Sequence, residues 1–172
     1  MKVAIIIAFR DFRDEEYFIP KQTLETAGAE ITTVSVSLGK AIGLMGGEAD
    51  VNILMENLKV EDFDAILFIG GPGAANYIED RTCHQIAQKT VEQGKILGAI
   101  CIAPAILAKA GVLNNKKATV WNSPLDKSAV KILKENGANF QSESVVVDGK
   151  IVTADGPDVA EEFAEEIINL FK

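Results

Sequence analysis

Short, wholly apolar runs alternate along this chain with segments whose apolar residues recur every three or four positions, a pattern of doubly buried strands joined by helices. Lys2 to Ala8 has strand length, and a helix near Pro20 to Ala27 follows it, with Gly28 placed as its stop. Glu30 to Val36 reads as a second strand, and the glycine-rich stretch Gly39 to Gly47 as a hairpin or excursion. Ala65-Ile66-Leu67-Phe68-Ile69 is a fully apolar strand that runs into Gly70-Gly71-Pro72-Gly73. In the helix from Asp80 to Gln93, Ile86, Ala87, Thr90 and Val91 share one face and Gly94 ends it. The strand Ile96 to Ile100 then leads into a helical stretch from Ala103 to Ala110, closed by Gly111. Lys117 to Trp121 reads as a short strand, Ser128 to Glu135 as a helix, and Val145 to Thr153 as a hairpin turning on Asp148-Gly149. The last helix is the clearest. Val159, Phe163, Ile167 and Phe171, with Ala160, Ala164 and Ile168, make an apolar stripe opposite Glu161, Glu162, Glu165 and Glu166.

This order describes an α/β protein: an open, mostly parallel sheet with helices on both faces. Ligands in such folds sit beyond the carboxyl ends of the strands. Cys101, Gly70-Gly71 and the loop from Phe9 to Glu16 all fall at strand carboxyl ends, so one cleft is expected to gather them.

At 172 residues the chain suits one domain, residues 1–172, with a single sizeable core. A hydrophobic content of 48% with 24% charged residues is an ordinary globular balance. The net charge of −8 opposes the phosphate neutralisation that nucleic acids and anionic membranes demand, so neither is an expected partner. No apolar run reaches membrane-spanning length, and the N-terminus lacks a cleavage pattern, which together suggest a cytoplasmic protein. Two separated Cys and one His give no metal-ligand spacing, and no cofactor is expected. Gly71-x-Gly73 lacks the third glycine of a dinucleotide loop.

Cys101 stands on a strand-to-helix turn, where unpaired backbone N–H groups and the helix dipole stabilise a thiolate and any oxyanion beside it. A small buried core cysteine is the plainer reading. Gly70-Gly71-Pro72-Gly73 makes a tight turn in either case, and Glu16 alone reads as an acid near a helix start.

Three segments are similar to the ThiJ/PfpI superfamily: Phe12 to Pro20 after the first strand, Phe63 to Gly71, and Ala99 to Leu107, with Val145 to Pro157 fitting as well. The resemblance covers essentially the full length. It implies a three-layer flavodoxin-like sandwich, akin to class I glutamine amidotransferases, with a nucleophile elbow at Cys101. It also implies that Glu16, matched through the Glu-x-x-x-Pro spacing, contacts the sulfur, and that the amides of Gly71 and Ile102 form an oxyanion hole. Gly70, Trp121, Asp155 and Pro157 are candidate pocket residues. Assembly as a dimer or hexamer is implied too.

Departures from the family pattern narrow the chemistry. Peptidase-like members carry a His directly after the cysteine, where this chain has Ile102, and the His that others place farther on is replaced by Trp121-Asn122-Ser123. Peptidase or amidohydrolase activity is therefore disfavoured, since the leaving amine lacks its acid. Addition of Cys101 to a small reactive carbonyl or glycated substrate, with Glu16 moving protons, demands less and matches the family's glyoxalase and deglycase members. The alternative is a non-catalytic oxidative-stress sensor or chaperone acting through oxidation of Cys101. Asp155 is expected to give the cleft an acidic mouth, Cys83 to lie on a helix surface or subunit contact, and His84 to face solvent.

Overall fold

The computed structural model describes residues 1–172, with strands and helices alternating in the expected order. The elements are β1 (Lys2–Ile6), β2 (Arg10–Phe12), α1 (Asp14–Thr26), β3 (Glu30–Ser35), β4 (Gly39–Gly43), β5 (Glu48–Val51), β6 (Ile53–Leu54) and β7 (Ala65–Phe68). They continue as α2 (Arg81–Glu92), β8 (Ile96–Ile100), α3 (Pro104–Lys109), β9 (Lys117–Ala118), α4 (Ser128–Glu135) and β10 (Asn139–Phe140). The hairpin β11 (Val145–Asp148) and β12 (Ile151–Ala154) and the helix α5 (Ala160–Asn169) complete the chain.

Seven strands form the main sheet in the order β11-β12-β8-β7-β1-β3-β6. All its pairs are parallel except β11 with β12. β7 and β8 are buried along their whole length, which explains why they read as unbroken apolar runs rather than alternating ones. Helices α1 and α5 pack on each other over one face of the sheet, and α2, α3 and α4 cover the other. This is the three-layer, flavodoxin-like architecture.

From β1 the chain crosses outward to β3, then returns to place β7 on the opposite side of β1. The strand order therefore reverses between β1 and β7, and a crevice opens at their carboxyl ends. The loop Ile7–Arg13 and the turn Ile69–Gly71 border it. They are joined by the Arg13 N–H, which donates to the Gly70 carbonyl at 3.1 Å.

Several local expectations differ from the structure. α1 begins at Asp14, and Pro20 lies inside it, where it withholds an N–H from the Glu16 carbonyl. The strand at Lys117 ends at Ala118. The last hairpin turns on Gly149-Lys150, because Asp148 still pairs with Ile151. Cys83 is not on a surface: it is 0% exposed, and its thiol donates to Met55 Sδ at 3.3 Å. α2 starts one residue after its cap Asp80, so Cys83 falls on the inward face. His84 is half-buried, and its Nε2 lies 2.8 Å from the Ile78 carbonyl oxygen. No helix is long and apolar enough to cross a membrane.

Candidate active site

Glu16 reaches the crevice because α1 starts early. Glu16, Pro20 and Leu24 recur every fourth residue on the buried face of that helix, so the apolar packing that seats Leu24 also turns Glu16 inward. The Glu16 side chain is fully buried, with Oε2 accepting from the Gly70 N–H at 3.1 Å and Oε1 lacking a hydrogen-bond donor. Cys101 comes from the end of β8. It adopts φ 63°, left-handed backbone that a non-glycine residue occupies only when its neighbours hold it there. Two hydrogen bonds do so: the Cys101 N–H donates to the Ala154 carbonyl at 2.8 Å, and the Cys101 carbonyl accepts from the Trp121 N–H at 2.8 Å.

The two side chains meet across Gly70. A Cβ on this glycine would fall 2.7 Å from the Cys101 Cβ and 2.7 Å from Glu16 Oε2, so only its bare backbone lets acid and thiol approach each other. Gly71 follows with φ 101°, and a Cβ there would lie 2.5 Å from the Arg13 nitrogen. Its amide and that of Ile102 lie beside the Cys101 sulfur and favour its charged form. Two amides thus converge where charge on sulfur, or on an oxygen bound beside it, needs donors.

The electrostatics correct a simple thiolate picture. α3 is only six residues long, and burial, followed by the charge of Glu16, pushes the Cys101 thiol up to about 12, against which the Gly71 and Ile102 amides pull. Burial likewise raises the Glu16 carboxyl from 4.5 to about 7, opposed by its contact with Cys101, the Gly70 amide and the charge of Arg13. Two negative charges are disfavoured at this spot, so once Glu16 ionises near 7 the pair retains one proton. Sulfur carries the charge only while Glu16 holds the proton, and Oε1 is the vacant atom to hold it.

A cleft of about 440 Å³ opens above the pair. Of the residues singled out in the sequence, Glu16, Cys101, Gly71, Ile102, Trp121 and Pro157 line it. Gly70 stands behind the pair instead of on the cleft wall. Asp155 is also absent from the lining: its N–H donates to the Ser144 carbonyl at 2.9 Å, and with its carboxyl outside the cleft wall it does not make the mouth acidic. Arg13, Leu44, Pro72 and Ala75 complete the wall and were not anticipated. Arg13 was hidden among acids in the loop. Leu44 is carried in by the β4–β5 hairpin, which Asp14 pins by accepting from the Met45 and Gly47 N–H groups at 2.8 and 2.7 Å. No periodicity announces either residue; a carboxylate five residues before Ile19 and a Gly46-Gly47 pair are the faint signals of that pin. No group of three or more His, Cys, Asp or Glu side chains converges for a metal ion.

Comparisons with known proteins place the chain and its fold. The chain is 36% identical over 168 residues to an uncharacterized protein of Methanocaldococcus jannaschii, covering 97% of this chain and 80% of that one. It is 31% identical over 172 residues to the protein/nucleic acid deglycase 2 of Escherichia coli K12, covering 98% and 96%. Its fold matches the crystal structure of a ThiJ/PfpI domain protein from Brachyspira murdochii with a TM-score of 0.94, at 29% identity, over 99% of this chain and 95% of the other. The model of the DJ-1/PfpI family matches residues 1–170, and the chain belongs to that family.

Proposed function

We propose that the protein is a cysteine-dependent enzyme acting on small reactive carbonyls, of the glyoxalase or deglycase type. The observation that carries this reading is the buried acid set against the thiol across Gly70 at the floor of a cleft, with the Gly71 and Ile102 amides beside the sulfur. The deglycase name of the Escherichia coli relative supports it.

With a 2-oxoaldehyde such as methylglyoxal, the Cys101 thiolate adds to the aldehyde carbon while the carbonyl electron pair moves to oxygen, toward the Gly71 and Ile102 donors. Glu16 gives its proton to that oxygen, forming a hemithioacetal. As a carboxylate, Glu16 then removes the hydrogen on the same carbon, and the electron pair passes through an enediolate to the neighbouring ketone oxygen. The hydroxyl proton passes to that neighbouring oxygen, and return of the first proton from Glu16 to the former ketone carbon leaves a 2-hydroxy thioester, which water hydrolyses to a 2-hydroxy acid and free Cys101. One substrate carbon is oxidised and its neighbour reduced, so no external redox partner is required.

Peptide hydrolysis makes a demand that this cleft meets poorly. Ile102 supplies no imidazole, and the single histidine, His84 of α2, is engaged with the carbonyl of Ile78 in the preceding turn. The test is lactate formation from methylglyoxal by the wild type, Cys101→Ser and Glu16→Gln. Each variant is expected to lose about 100-fold or more in kcat/KM. Turnover unchanged in both overturns the reading.

A further inference from the structure

Arg13 sits where the helix does not need it. It is the N-cap of α1, with φ −78° and ψ 116°, yet its side chain makes no capping bond. Ser, Thr, Asp or Asn is favoured at this position, and a cation is opposed by the positive end of the helix dipole. The following three residues show the ordinary preference, since Asp14, Glu15 and Glu16 put acids in the first turn. A residue that breaks a local rule at the edge of a cleft has another task to account for it.

The guanidinium is oriented. Glu15 accepts from Nε at 2.8 Å and from Nη2 at 3.2 Å, which fixes the plane of the group and leaves its Nη1 edge without a contact of its own. Arg13 lines the cleft, and its charge is felt at Glu16. The acids around it are committed elsewhere: Asp14 to the Met45 and Gly47 amides, Glu15 to Arg13 itself, and Glu16 to Gly70 and Cys101. Apart from Glu16, every other side chain of the lining is uncharged, so the cleft offers one cation among apolar walls formed by Leu44, Pro72, Ile102, Trp121 and Pro157.

We propose that Arg13 is a specificity-determining residue that selects carbonyl substrates carrying an anionic group, its Nη1 edge taking a carboxylate while the carbonyl reaches Cys101. The inference rests on the carbonyl reading of the cleft and narrows it from neutral 2-oxoaldehydes to anionic ones. Charge-assisted donors held in a fixed plane discriminate carboxylate from a neutral group of similar shape.

Binding and turnover test it separately. In the unreactive Cys101→Ser protein, 4-oxopentanoate is expected to bind more tightly than the neutral ketone 2-pentanone. Adding Arg13→Asn should weaken the carboxylate about 10-fold and leave the ketone unchanged, with Arg13→Lys recovering part of the loss. In the otherwise wild-type protein, Arg13→Asn should raise KM for 4,5-dioxopentanoate about 10-fold more than it raises KM for methylglyoxal, whatever change in kcat the two substrates share through Glu16. Because Asn is a better cap than Arg, the melting temperature of Arg13→Asn should not fall. Equal effects on both ligands, no preference for 4-oxopentanoate, or a drop in melting temperature that parallels the lost affinity would each overturn the proposal. If the wild type turns over neither aldehyde while the binding preference holds and follows Arg13, the carbonyl chemistry fails and the anion selection stands.

Discussion

Glu16 ties the chemistry of the cleft to the stability of the fold. Its carboxyl, ordinarily near 4.5, is held at about 7 chiefly by burial, so the native state binds this proton more tightly than the unfolded chain does. The stabilisation is complete below about pH 4.5 and is lost as pH rises through about 7, and it amounts to about 3 kcal/mol. Glu16→Gln removes the titration. Urea melts of the two proteins between pH 4.5 and 8 should therefore show the wild type losing about 3 kcal/mol relative to the variant, and a constant difference across that window contradicts the burial argument. Cys101 was legible as a thiol on a strand-to-helix turn, whereas Glu16 entered through the resemblance to the ThiJ/PfpI superfamily, since by itself it reads as an acid near a helix start. Arg13 was not legible. Its role depends on α1 starting at Asp14, whereas Pro20, a residue favoured in the first turn of helices, drew the expected start to itself.

Among the elements, those that bury a stripe or a whole strand declared themselves, and those held by a few side-chain bonds did not. β7, β8, α2, α4 and α5 follow from apolar period alone, since burial fixed both their sequence and their ends. β2, three residues long, is too short for any period to register, and β9, read as Lys117 to Trp121, keeps only its first two residues. The tip of the β4–β5 hairpin is pinned by one carboxylate: Asp14 satisfies the Met45 and Gly47 amides, and a Cβ at Gly43 would strike that carboxyl. Asp14→Ala is expected to destabilise the protein by about 2 kcal/mol, the value of two charge-assisted bonds at a partly exposed turn. Because the hairpin carries Leu44 into the cleft, the same variant should raise KM for methylglyoxal. Equilibrium denaturation and steady-state kinetics check both parts, and an unchanged midpoint refutes the role given to Asp14.

At the scale of the whole molecule, the reversal of strand order between β1 and β7 decides where function resides, and the alternation of runs was enough to foresee a crevice of this kind. What the sequence left open was which loops close over it, because that depends on contacts between distant segments. The layers are interlocked through α5. Phe163 is fully buried and lies over Gly98 of β8, where a Cβ would come within 2.9 Å of its ring, and α5 also backs α1, the helix that aims Glu16. Phe163→Ala should lower stability by about 3 to 5 kcal/mol, a melting shift on the order of 10 °C for a chain of this size, measurable by calorimetry. A shift within a degree or two would mean that α5 is not the clamp described. The seating of Cys83 against Met55 in the interior has a practical outcome. Of the two thiols in the native protein, only that of Cys101 faces the cleft, so a small thiol-directed probe can be installed at the cleft floor without first engineering any cysteine away.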